Sequence, residues 1–120
     1  MGKLWTGLNP CGSLEKNMVY RLIVSKDAHL DIDSIIDYIS GRLSNVTAAI
    51  GFLDDVEKSY RNIVENPFMY SYCNDDKLRN QGYRKIPIKN YTILYLVDEE
   101  AQTVTVMRVF YSGRNYPELL

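Results

Sequence analysis

The stretch GYRKIPIKNYTILYLVDEEAQTVTVMRVFYSGRN, residues 82–115, decides how the rest of this chain must be arranged. Tyr83 to Ile88 alternates around Arg84, Ile86 and Ile88. Tyr91 to Val97 sets Tyr91, Ile93, Tyr95 and Val97 on one face and Leu94 and Leu96 on the other, the two-residue period of a strand. Thr103 to Tyr111 is rich in β-branched and aromatic residues. Lys89-Asn90 and Asp98-to-Gln102 supply turns between these runs, so the three form an antiparallel meander. The middle run is apolar on both faces, which places it centrally in a sheet with helices on one side and something else, such as a partner, on the other.

Upstream of the meander the period changes. Val19 to Val24 reads as one more strand, and Ser25 stands where a helix N-cap is needed, with Asp27 suiting the first turn. Ala28, Ile32, Ile35, Ile36, Ile39 and Leu43 recur at three- and four-residue steps, the stripe of an amphipathic helix whose other side carries Asp31, Asp33 and Asp37. Ser44 or Asn45 caps a second helix with the stripe Val46, Ala49, Ile50, Leu53, Val56, Tyr60, Ile63 and Val64. Asn66-Pro67 ends it, because proline cannot continue the hydrogen-bond ladder. The short junction implies an antiparallel helical hairpin. Pro67 to Gln81 reads as an irregular connection, with Phe68, Tyr70 and Tyr72 as anchors against the helices. The order strand, helix, helix and three strands gives an α+β fold, a helical hairpin packed on a mainly antiparallel four-stranded sheet. Residues 1–17 lack either periodicity and are expected to be a tail, disordered or foreign to the natural chain, ahead of a domain spanning 18–120.

At 120 residues with 46% hydrophobic content the chain suffices for one core. Its two cysteines, Cys11 and Cys73, have neither disulfide-framework nor zinc-ligand spacing, so no metal and no cofactor is expected. No run approaches the roughly 18 apolar residues of a membrane span, and the first residues lack a secretory apolar core, so a cytoplasmic protein is expected. The net charge of −1 hides an uneven distribution. Lys77, Arg79, Arg84, Lys85 and Lys89 follow one another with no acid between, whereas Asp27 to Glu65 is predominantly acidic. A general nucleic-acid binder would carry a larger overall excess of cations.

Several local patterns come in a telling order: the Tyr20-to-Ser25 strand followed by Ala28, the Asp31-to-Ile39 helix ending in Tyr38-Ile39, and Asn66-Pro67 after the second helix. Then follow Gly82 and Arg84, the Asn90-Tyr91 turn, Tyr95, Val97 and Asp98, Arg108-Val109, and Tyr111-Ser112-Gly113-Arg114-Asn115. In that order they resemble the RelE/ParE superfamily of toxins from type II toxin–antitoxin modules. Tyr111 stands where the family's closing motif often has histidine, Asn115 where it has aspartate, and Thr92 where the ribosome-dependent RNase branch commonly has arginine. A mechanism dependent on a histidine at position 111 is thereby excluded. The single histidine, His29, is expected at the surface of the first helix.

The resemblance implies a growth-arresting toxin neutralised by a cognate antitoxin, with association as a homodimer or a toxin–antitoxin hetero-oligomer. It leaves three functions open. One is ParE-like inhibition of DNA gyrase, which low net charge and the missing histidine and arginine favour. A second is a metal-independent, ribosome-dependent mRNA endonuclease. The third is a degenerate toxin that only binds antitoxin. For a nuclease, Arg84 and Arg114 would brace the phosphate, Lys85 or Lys89 would add charge, and Tyr111 or Tyr116 would stack on a base or donate a proton. The catalytic candidates are thus Arg84, Lys85, Tyr111 and Arg114. A general base is lacking, since tyrosine at its usual pKa of about 10 is a poor one at neutral pH.

Overall fold

A computed structural model describes residues 20–113. The described chain runs β1 (Arg21–Val24), α1 (Lys26–Asp37), a π-helical turn (Tyr38–Arg42), α2 (Val46–Glu65), α3 (Asp76–Asn80), β2 (Arg84–Ile88), β3 (Tyr91–Asp98) and β4 (Thr103–Tyr111). The sheet order is β1-β4-β3-β2. The meander pairs antiparallel, and β1 joins β4 in parallel from Arg21↔Thr103 to Val24↔Val106. The expected fold is therefore present, a helical hairpin on a mostly antiparallel sheet.

Local chemistry explains where the helices begin and end. The Ser25 hydroxyl accepts the amide of Ala28 and the Asn45 side chain accepts that of Ala48, each satisfying a donor left over in a first turn. Asn45 rather than Ser44 is the second cap, because Ser44 takes a left-handed conformation in the junction. Asn66 closes α2 ahead of Pro67.

On the helix side the core joins Ala28, Ile39, Ala49, Phe52, Val56 and Ile63 to Ile86, Ile93, Tyr95, Val104, Val106 and Val109. Two details of the helical stripes differ from the sequence reading. Leu43 ends the first stripe 55% exposed, and in α2 the buried residue is Phe52 while Val46, Ile50 and Leu53 are 61%, 55% and 41% exposed. The apolar arc of this half of α2 is wider than the surface the sheet offers it, so one edge of the arc is left bare.

The opposite sheet face is covered by the chain itself. Cys73, Leu78, Tyr83, Leu94 and Phe110 form a second cluster, flanked by Leu96 and Met107. Leu78 comes from α3, a five-residue helix capped by Asp75 inside the segment read as irregular. A helix that short shows no periodicity.

Both halves of β2's outer edge are obstructed. Lys85 donates its amide to the Ser71 carbonyl, and Cys73 donates to that of Tyr83. The next outward position is Pro87, which has no N–H to offer.

Candidate functional site

The C-terminal end of β4 is set by a bulge. Leu94 faces Arg108 whereas Tyr95 faces Val106, so Met107 is the extra residue. Two groups from α1 hold it. The Ser25 hydroxyl, besides capping α1, donates to the Met107 carbonyl at 2.8 Å. Asp31 accepts Arg108 Nε at 2.7 Å, Arg108 Nη2 at 3.0 Å and the Val109 amide at 2.9 Å. Arg108 is thus engaged by a carboxylate 77 positions away in sequence.

The described candidates Arg84, Lys85 and Tyr111 do not meet in one place. Arg84 and Lys85 are consecutive in a strand and point to opposite faces. Arg84 donates to the Tyr70 carbonyl at 2.6 Å, and its guanidinium carbon lies 4.0 Å from the Tyr72 ring centroid and 5.2 Å from that of Phe68. Lys85 lies on the other face, close enough to the Cys73 sulfur to oppose the rise in pKa that burial imposes on that thiol. Arg84 pairs with Tyr95 and Tyr111 with Tyr91, four rungs apart and two strands over. That separation is about 13 Å along the strands and about 10 Å across them. Tyr111 is 58% exposed and edge-packed on Tyr91, which packs in turn on Phe52. Gly113 lies so close to the Tyr111 ring that a Cβ there would sit 2.8 Å from it. Arg114 and Tyr116 lie outside the described residues.

Other groups bearing on a nuclease are placed as follows. Thr92 is buried and shares a 2.8 Å hydrogen bond with Ser112. Lys89 lies 3.9 Å from Asp55. His29 is exposed on α1. The tyrosines whose acidity is perturbed move away from neutral pH, since burial pushes Tyr60 and Tyr95 to about 12 and also raises Tyr91. Among the described residues no group of acidic, histidine and cysteine side chains is arranged to hold a metal ion, and no helix is long and apolar enough to cross a membrane.

Two surfaces stand out instead. Around the helical tip Tyr38, Leu43, Val46, Ile50 and Leu53 are all exposed. At the other end of α2, Phe68, Met69 and Tyr72 are 44%, 48% and 46% exposed beside Arg84. Sequence reasoning treats Leu43, Val46, Ile50, Leu53, Phe68 and Tyr72 as packing residues, and only their failure to find a cover distinguishes them.

Several solved structures share the fold, three toxin–antitoxin structures among them. The chain superposes on the Mycobacterium tuberculosis RelBE2 toxin–antitoxin complex with a TM-score of 0.56 at 19% identity, over 82% of this chain and 98% of that one. For the chromosomal ParDE system of P. aeruginosa the TM-score is 0.62 at 14% identity, over 78% and 97%. For the intact E. coli RelBE complex it is 0.54 at 20%, over 79% and 99%. No curated protein sequence gives a significant match. The sequence profile of the ParE toxin of the type II toxin–antitoxin system parDE matches residues 22–116. With that match spanning β1 to beyond β4, the chain belongs to the ParE toxin family of type II toxin–antitoxin systems.

Proposed function

We propose that this toxin arrests growth in the cytoplasm by binding DNA gyrase, without chemistry of its own, until an antitoxin sequesters it. One observation carries this reading. On the sheet face away from the helices, where β2, β3 and β4 lie side by side, Cys73, Leu78, Tyr83, Leu94 and Phe110 close into a buried apolar cluster, and of the cations near it Lys85 faces Cys73 while Arg108, opposite Leu94, is engaged by Asp31. Cleavage of RNA through its 2′-hydroxyl needs a proton acceptor, a proton donor and cations around one phosphate. Arg84, Lys85 and Tyr111 are too divergent to supply that set, and the buried Thr92 occupies a position where a cation would serve it.

The antitoxin reading draws on the bare helical tip. An amphipathic segment laid along Leu43, Val46, Ile50 and Leu53 would cover the exposed edge of the α2 arc, the helix-in-groove mode of recognition. The acidic residues of this half, Asp33, Asp37, Asp54 and Asp55, favour a basic border on that segment.

Purified ribosomes with a defined message, run beside a gyrase supercoiling assay, test the reading. Supercoiling is expected to fall with the message intact. Message cleavage that disappears in Arg114→Ala would replace this reading with the endonuclease, and inactivity in both assays with retained antitoxin binding would mark a degenerate toxin.

A further inference from the structure

We infer that the Phe68–Tyr72 loop, with Arg84 at its centre, is the surface that grips the target protein, and that the matching patch on the target is apolar and carries a carboxylate. This rests on the gyrase reading and adds the place of contact.

The loop is anchored far more firmly than its exposure suggests. Tyr95, fully buried, donates its hydroxyl to the Pro67 carbonyl at 2.8 Å. Arg84 holds the Tyr70 carbonyl, the Met69 amide closes back on the Asn66 carbonyl, and Ser71 accepts the amide of Lys85. The Tyr70 ring packs edge-on against Tyr95 and the Phe68 ring against Tyr20. A segment tied at this many points loses little freedom when something docks on it, so affinity gained there is not spent on ordering the loop.

What the anchored loop presents is apolar. Phe68, Met69 and Tyr72 are each nearly half exposed although firmly held, and the core gains little from them. Large apolar and aromatic side chains grouped around an arginine have the composition of interface hot spots.

The charge is unmatched as well. Arg61, Arg79, Lys89 and Arg108 each lie within ion-pairing distance of an acid. Among the described residues Arg84 does not, since its hydrogen bond goes to a neutral carbonyl. A guanidinium stacked on Tyr72 and fixed by one hydrogen bond keeps further N–H groups for an incoming acid. One guanidinium among three bulky apolar side chains suits a protein patch better than a phosphate backbone, which demands several cations along its length.

The test uses the full chain, produced with its antitoxin and then freed of it. In Met69→Asp/Tyr72→Asp both new side chains are exposed, so melting temperature and antitoxin affinity should match the parent, while the concentration needed to inhibit gyrase rises at least about tenfold. Met69→Lys/Tyr72→Lys should fail similarly, since added charge cannot replace apolar contact. Unchanged inhibition by both variants overturns the inference and leaves the gyrase reading standing. Tighter action of the lysine variant, or loss of message cleavage in the aspartate variant, would make the occupant a nucleic acid and equally overturn it. If the parent does not touch gyrase, the gyrase reading falls separately and growth arrest on induction decides the surface. Arrest by the aspartate variant as by the parent overturns the site, whereas lost arrest with fold and antitoxin binding intact keeps it.

Discussion

The two ends of α2 both leave apolar side chains in water, yet they do so by different means. At the N-terminal end the helix simply outruns the sheet, so Val46, Ile50 and Leu53 are bare while Phe52 between them is 4% exposed. At the C-terminal end the chain leaves the helix and is lashed down by Tyr95 and Arg84, with Phe68, Met69 and Tyr72 facing outward from an immobile base. A regular helix with an uncovered edge accepts another helix along its length. A tethered loop offers a small shaped knob. Exposure alone does not separate these cases; the hydrogen bonds beneath each surface do.

The sharpest probe of the contrast lies within α2. Phe52→Ala removes a core ring packed on Tyr91 and should cost about 3–4 kcal/mol, read from denaturant midpoints at constant m. Ile50→Ala, two residues away, should cost no more than about 0.5 kcal/mol beyond helix propensity. Equal costs would mean that the tip is packed after all. Next in size, Asp31→Ala removes the acceptor of Arg108 Nε and of the Val109 amide and should cost about 3 kcal/mol. It should also raise amide exchange from Met107 onward while sparing the Phe68–Tyr72 loop, which does not depend on that clamp.

Tyr95→Phe acts on the other end. Losing the bond to the Pro67 carbonyl should cost about 1–2 kcal/mol and speed exchange of the Met69 amide, with the helical tip unaffected. Alkaline pH should do the same to the parent. Tyr60 and Tyr95 are pushed to about 12 when folded, above the ordinary value of 10. Their contribution is therefore intact below pH 10 and lost as pH rises through 12, so a pH titration of the denaturant midpoint should fall within that window. The smallest effect is expected at Tyr60, whose buried hydroxyl has no hydrogen-bond partner among the described residues. Tyr60→Phe should be neutral or stabilising by up to about 1 kcal/mol and should blunt the alkaline loss.

Much of the architecture could be read from residue order. The alternation from Tyr91 to Val97, the Ser25 cap and the Asn66-Pro67 stop are local signals, and each sits where it was expected. α3 was missed because five residues hold less than two turns, although Asp75 was its cap in plain view. The α2 stripe was drawn through Ile50 and Leu53 because a run in which Val46, Ala49, Ile50, Phe52, Leu53 and Val56 are all apolar spans more than one helix face, and only the sheet's extent decides which edge is buried. Asp31 and Arg108 carry no mark of each other, since their meeting depends on where α1 crosses β4. The candidate set was legible as residue types but not as a site, for adjacent strand positions such as Arg84 and Lys85 diverge by geometry. Arg114, the fourth candidate, lies outside the described residues.

Pro87 gives the fold a property useful to a protein that must at times circulate without its guardian. With one stretch of the β2 margin already paired to residues 71–73 and the next lacking a donor, a second molecule finds no continuous row of amides to extend the ladder from that side. Liberated copies are thereby discouraged from stacking into fibres along this border.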